Sequence, residues 1–194
     1  KISLNFKISN YIFLMLVHIE KTPNPESLKF LPGKKVSKVG PKEILNKDDT
    51  KNELVRNILS ISGVEGIFLS EDFLSVNKNK KTNWEELKHI IISFINEYYS
   101  NGKDCVLDKS EFKGNDENFD EIEKKIIQIL ETKIRPAVAR DGGDIIFKEY
   151  KNGIVKVKLQ GSCSGCPSST MTLKQGVQNL LSHYIPEVKE VLAI

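Results

Sequence analysis

Cysteine is scarce in this chain. There are three among 194 residues, an odd number and too few for a disulfide framework. A close pair plus one remote cysteine suits a reducing compartment, where thiols persist. Long apolar runs are missing too. The longest, Tyr11 to Val17, has seven residues, far short of the ~20 that span a bilayer as a helix. Charge of one sign is also absent: 29 Lys and Arg against 26 Asp and Glu leave a net charge of +3, with lysines scattered among acids. That balance gives no electrostatic footprint for nucleic acid. The short basic stretch Lys78, Lys80 and Lys81 reads as a solvated loop. A content of 39% hydrophobic and 28% charged residues is that of an ordinary globular protein.

What is present divides into two folded blocks. Residues 1–14, KISLNFKISNYIFL, carry Lys1, Lys7, serines and no acid, and read as a leader or extension resembling the remnant of an organelle transit peptide. Met15 is an alternative start. The first block covers 15–100. Leu16 to Glu20 and Ser27 to Leu31 read as strands around the turn TPNPE, where Pro23 and Pro25 block a helix. Asn52 to Ser62 reads as a helix with Gly63 near its end. Val64 to Leu69 and Phe73 to Val76 form a hairpin. Thr82 and Glu85, at capping-box spacing, then open a helix carrying Trp84, Leu87, Ile91, Ile95 and Tyr98. Residues 101–118 are polar, hold Cys105 and read as a linker; linkers of this composition leave domains mobile by default. The second block covers 119–194. Asn118 and Glu121 cap a helix with Ile122, Ile126, Ile129, Leu130 and Ile134, which Pro136 kinks or ends. Asp141-Gly142-Gly143-Asp144 stops that helix and feeds a strand. Ile145 to Tyr150 and Ile154 to Leu159 form a hairpin turned by Asn152-Gly153. A last helix carries Leu173, Val177, Leu180 and Leu181 until Pro186, and Glu187 to Ala193 reads as a strand. The fold class expected is α+β: two small domains, each a short, mostly antiparallel sheet packed by helices.

The stretch GSCSGCPSST, residues 161–170, joins the hairpin to that last helix and holds Cys163 and Cys166. Pro167 suits a first helical position, which sets Cys166 at a helix N-terminus where backbone N–H groups and the macrodipole favour a thiolate. Thiolates are the donors soft metals need. Gly165 allows the bend that brings both sulfurs to one side. Gly161, Ser162 and Ser164 are small, so the rim is expected to be open and a bound group near the surface. A thioredoxin-like redox pair has the same spacing, but no aromatic residue precedes Cys163 and no βαβ unit precedes the loop. A metal site needs more ligands than one chain offers. His18, His89 and His183 lie away from ligand spacing, and Cys105 reads as incidental. A two-fold partner would supply the missing thiolates, making four, which fits either a [4Fe–4S] cluster or a zinc ion.

RPAVARDGGDIIF, GIVKVKLQGSCSGCPSSTMTLKQGVQNLL and YIPEV resemble the C-terminal domain of the NifU-like (Nfu) iron–sulfur proteins. TPNPESLKFLPG resembles the opening of that family's N-terminal domain. The resemblance implies a non-enzymatic scaffold or carrier. It implies a [4Fe–4S] cluster held by Cys163 and Cys166 and bridged between the subunits of a homodimer. It further implies receipt from upstream assembly proteins and delivery to apo-proteins such as lipoyl synthase or aconitase-type enzymes. The compartment expected is the mitochondrial matrix or a bacterial cytoplasm, with no nucleic acid and no membrane involved.

Overall fold

Period-two patterning builds the first half of the molecule. The computed structural model describes residues 17–108, 119–165 and 167–194. The expected leader over 1–14, most of the expected linker, the capping residue Asn118 and Cys166 lie outside them. Strands His18–Lys21 (β1), Ser27–Leu31 (β2), Lys42–Ile44 (β3), Val64–Leu69 (β4) and Leu74–Lys78 (β5) form one sheet in the order β1-β2-β5-β4-β3. Every pairing in it is antiparallel. Successive side chains of a strand point to opposite faces. Leu28, Phe30, Ile44, Ile67, Leu69, Leu74 and Val76 therefore share one face, where Leu54, Val55 and Ile58 of helix Glu53–Leu59 (α1) join Leu87, Ile91 and Ile95 of helix Trp84–Ser100 (α2) in a single core.

The opposite face has its own order. Lys29 lies across from Ser75, Ser75 across from Phe68, and Phe68 across from Glu43. These four make one row over β2, β5, β4 and β3, with Asn77 one step along β5. Phe68 and Phe73 are buried at 1% and 4% exposure yet belong to neither hydrophobic core. They pack together with ring centroids 6.1 Å apart.

The second half is built from helix Glu121–Ile129 (α3), a π turn Leu130–Ile134, helix Arg135–Arg140 (α4), strands Gly143–Lys151 (β6) and Ile154–Gly161 (β7), helix Pro167–Tyr184 (α5) and strand Glu190–Ala193 (β8). β6 and β7 form the expected hairpin. Asn152 at φ 54° and Gly153 at φ 84° supply the two left-handed positions of a type I′ turn. β8 pairs parallel to β7, completing a sheet in the order β6-β7-β8. Ile126, Leu130, Val138, Ile145, Val155, Val177, Leu181 and Val191 form the second core. The protein is thus α+β, with two sheet-and-helix halves.

Two capping expectations are corrected. The cap of α2 is Asn83, which accepts from the Glu85 amide, while Thr82 binds back to Asn79. The cap of α3 is Asp120 in a full capping box with Glu123, two residues later than Asn118 with Glu121. In both cases a competing Asn or Asp nearer the first apolar residue wins. Pro136 stands at the break expected in its helix, where α3 gives way to a π turn and then to α4. Proline has no N–H to give Thr132, and the π turn absorbs the mismatch: Arg135 N–H reaches back to the Leu130 carbonyl, and Pro136 enters the first turn of a new helix. Finally, β3 is a strand that no periodicity announces. Within the stretch expected as linker, Val106 and Leu107 are buried on the first core and both donate to the Val36 carbonyl.

Candidate metal-binding loop

β7 ends at Gly161, and the chain turns through Ser162, Cys163, Ser164 and Gly165 before α5 begins at Pro167. Gly161 and Gly165 take φ of 65° and 74°, the left-handed region that side chains avoid. Gly165 is therefore the bend expected of it. The Ser164 amide closes the turn on the Gly161 carbonyl at 3.1 Å. The structure says nothing of Cys166, which lies outside the described residues.

Cys163 differs from expectation in one respect. The rim was expected to be open, but Cys163 is only 6% exposed and packs into the second core. Two causes act together. Gly143, paired with Gly161 across the hairpin, lets the thiol lie flat on the strand: a Cβ there would sit 2.7 Å from Cys163 Sγ. Gly143 thus touches the site and does more than stop a helix. The second cause is the first half of the molecule, which covers the loop from above.

The TPNPE turn lies at this cover. Thr22 Oγ accepts from the Asn24 amide and donates to the Ser27 carbonyl at 3.1 Å; Asn24 Oδ1 accepts from the Glu26 amide. That leaves the Asn24 amide group to donate to Ser162 O at 3.0 Å and Ser164 O at 3.3 Å. From the sheet, Asn77 donates to Gly161 O at 2.9 Å, Ser75 to Gly142 O at 2.7 Å and Lys29 to Arg140 O at 3.4 Å. Glu43 accepts from the Gly161 amide at 2.9 Å, with its side chain 4% exposed and Lys158 at 3.9 Å. Phe68 fills the space over Gly161, where an added Cβ would meet its ring at 2.9 Å.

Cys163 opens onto an apolar groove of about 690 Å³ between α4 and α5, lined by Ile134, Val138, Leu173, Val177 and, from the first half, Pro23. Beside its mouth Ser162 Oγ donates to the Asp141 carbonyl. Asp144, nearly buried, accepts two bonds from Arg135 at 2.7 and 2.8 Å. That pairing raises the Arg135 guanidinium further above its ordinary value. Cys105 lies on the other core's edge, its carbonyl accepting from Tyr98. His18, His89 and His183 are exposed and take no part. No group of three or more His, Cys, Asp or Glu side chains placed to hold a metal exists among the described residues. Sequence reasoning missed Asn24, Glu43, Ser75 and Asn77. Their signal is polar residues at the alternate positions of strands whose other face is core.

Fold and loop together define a class: a two-half α+β protein presenting a strand–cysteine loop–helix element. A family model described as NifU-like domain matches residues 126–192, and one described as scaffold protein Nfu/NifU N terminal matches residues 17–102. Among curated relatives, the chain is 41% identical to NifU-like protein 4, mitochondrial, of Arabidopsis thaliana, covering 91% of this chain and 65% of the relative. It is also 41% identical to the human NFU1 iron-sulfur cluster scaffold homolog, mitochondrial, covering 91% of this chain and 71% of the relative. The chain therefore spans about two thirds of the length of these proteins. A NifU-like protein from Saccharomyces cerevisiae is a structural neighbour at 27% identity and a TM-score of 0.47, over 52% of this chain and 91% of that one. This chain belongs to the Nfu family.

Proposed function

We propose that this protein carries a [4Fe–4S] cluster as cargo in iron–sulfur cluster assembly. Cys163 and Cys166 are its ligands, each copy of a homodimer supplying one pair. The cluster comes from upstream assembly proteins and passes to apo-proteins of the lipoyl synthase and aconitase type, so the protein acts as a carrier rather than as an enzyme. The domains are 15–100 and 119–194, and the compartment is the mitochondrial matrix, in keeping with the names of its relatives; a bacterial cytoplasm is the alternative. No described helix is long and apolar enough to cross a membrane.

One observation carries this reading. A soft thiol stands in a glycine-bent loop before a helix, and no third ligand group is assembled around it among the described residues. The donor set fits an iron–sulfur cluster and is incomplete among the described residues. A two-fold partner completes it with thiolates alone. A cluster held half by each copy is released when the copies part.

Anaerobic reconstitution tests the reading. The expected product is a brown dimer with iron and sulfide in equal amounts, about four of each per dimer. Cys163→Ala is expected to abolish both colour and dimer. A colourless protein that takes up zinc, or a monomer holding a whole cluster, overturns it.

A further inference from the structure

We propose that Asn24, Glu43, Ser75 and Asn77 are positioning residues for the cysteine loop: they hold Gly142 and Gly161–Ser164 with the Cys163 thiol turned into the groove, and their release presents the thiol. That release serves cluster loading rests on the carrier reading above; the positioning itself does not.

A buried N–H or C=O without a partner costs about 1–3 kcal/mol. Around the loop, Gly161 N, Gly161 O, Ser162 O, Ser164 O and Gly142 O all take partners from the first half of the molecule. Three of the four partners are themselves buried: Asn24 is 6% and Ser75 1% exposed, and the Glu43 side chain 4%, with Asn77 half-buried. These bonds reach the loop's main chain, so they respond to its shape. Asn24 spans residues 162 and 164, on either side of Cys163, with one amide group. The row Lys29–Ser75–Phe68–Glu43 is fixed by the register of four strands, so the rigid sheet sets the spacing of the contacts.

A metal shared with a second copy lies at bonding distance, ~2.3 Å, from sulfur. A thiol 6% exposed on the Gly143 strand cannot meet that demand where it is. The loop must move, and the Asn24 bonds flanking Cys163 must open when it does. The first half of the molecule is in this sense the holder of the loop, and the strength of its grip sets how often the thiol is presented.

The test uses the full chain, metal-free, with Cys105→Ser and Cys166→Ala leaving Cys163 as the only thiol, and follows alkylation by iodoacetamide. Asn24→Asp keeps the oxygen that serves the Glu26 amide and turns the donor into a second oxygen facing two carbonyls. Alkylation is expected to accelerate about tenfold, the equivalent of one lost buried bond. Asn77→Asp acts in the same direction. Glu43→Gln, which keeps an acceptor for the Gly161 amide, stays within about twofold of the parent, whereas Glu43→Ala accelerates. Amide exchange should quicken at Gly161–Ser164 and stay unchanged at Ile91 and Ile95 in α2. An unchanged alkylation rate in Asn24→Asp overturns the proposal. So does an acceleration that merely follows global unfolding by circular dichroism or exchange in α2. Because no cluster is involved, these outcomes leave the carrier reading untouched, and a failed reconstitution leaves these outcomes untouched.

Discussion

The two faces of the first sheet are sealed by different means. One is closed by α1 and α2, with Phe30, Ile58, Val76 and Ile91 wholly buried. Its seal is apolar, close in sequence and indifferent to the second half. The other is closed by the cysteine loop and the Arg140–Gly143 turn, through polar side chains that bond to main chain across 67 to 140 residues of sequence. Burial of an aromatic or aliphatic side chain is worth about 1.5–3 kcal/mol, whereas a typical net hydrogen bond is worth about 0.5–1.5. The first face therefore holds the fold together. The second adds main-chain hydrogen bonds and the buried rings of Phe68 and Phe73, which hold the two halves in one arrangement.

Substitutions can break or sharpen this contrast. The largest effect is expected from Phe30→Ala, about 3–5 kcal/mol of stability, read from denaturant unfolding, because it empties the helix-covered core. Gly161→Ala comes next, at about 2–3 kcal/mol. Its methyl meets Gly142 O at 2.7 Å and the Phe68 ring at 2.9 Å while φ stays at 65°. Small-angle scattering should show the halves moving apart while amide protection in α2 persists; a simultaneous loss in both places would erase the distinction between the faces. Asp144→Asn removes one partner of the Arg135 pair and is expected to cost about 1–2 kcal/mol, seen as a lower denaturant midpoint with unchanged slope. The smallest effect concerns the exposed pair on β6 and β7. The hydrogen bond from Lys156, followed by its charge, holds the Glu149 carboxyl below the usual glutamate range. Its contribution is whole above that range and fades as pH falls through the lowered value. In Lys156→Ala an NMR titration should find Glu149 back near its ordinary value, with stability at neutral pH hardly altered.

The sequence was informative where the signal is local. β2, β4, the Asn-Gly hairpin, α5 after Pro167 and the bend at Gly165 follow from alternation, turn chemistry and proline placement, and the structure has them. Caps slipped by one or two residues where several Asn, Asp or Thr compete, as at Asn83 and Asp120. β3 has three residues, too few for a period to show. The burial of Cys163 was not legible at all. Small neighbours such as Ser162 and Ser164 describe a loop that could stand open; what covers it is Asn24, 139 residues earlier by chain position, in a turn whose prolines explain its shape without hinting at its target. The outward residues Ser75 and Asn77 carry half of a message, and its other half is main chain, which has no residue type to read.

The π turn at Leu130–Ile134 has a consequence for phase. In a regular α-helix, side chains four apart creep about 40° around the axis at each step. Ile126, Leu130, Ile134 and Val138 would thus wind away from the sheet they share. The extra residue in the wide turn takes up that creep like a vernier. Wound as a regular α-helix, the same residues would set Val138 about 80° round the axis from Leu130. Val138 would then turn away from the core it shares with Ile126 and Leu130, so the straighter rod would be the poorer fit.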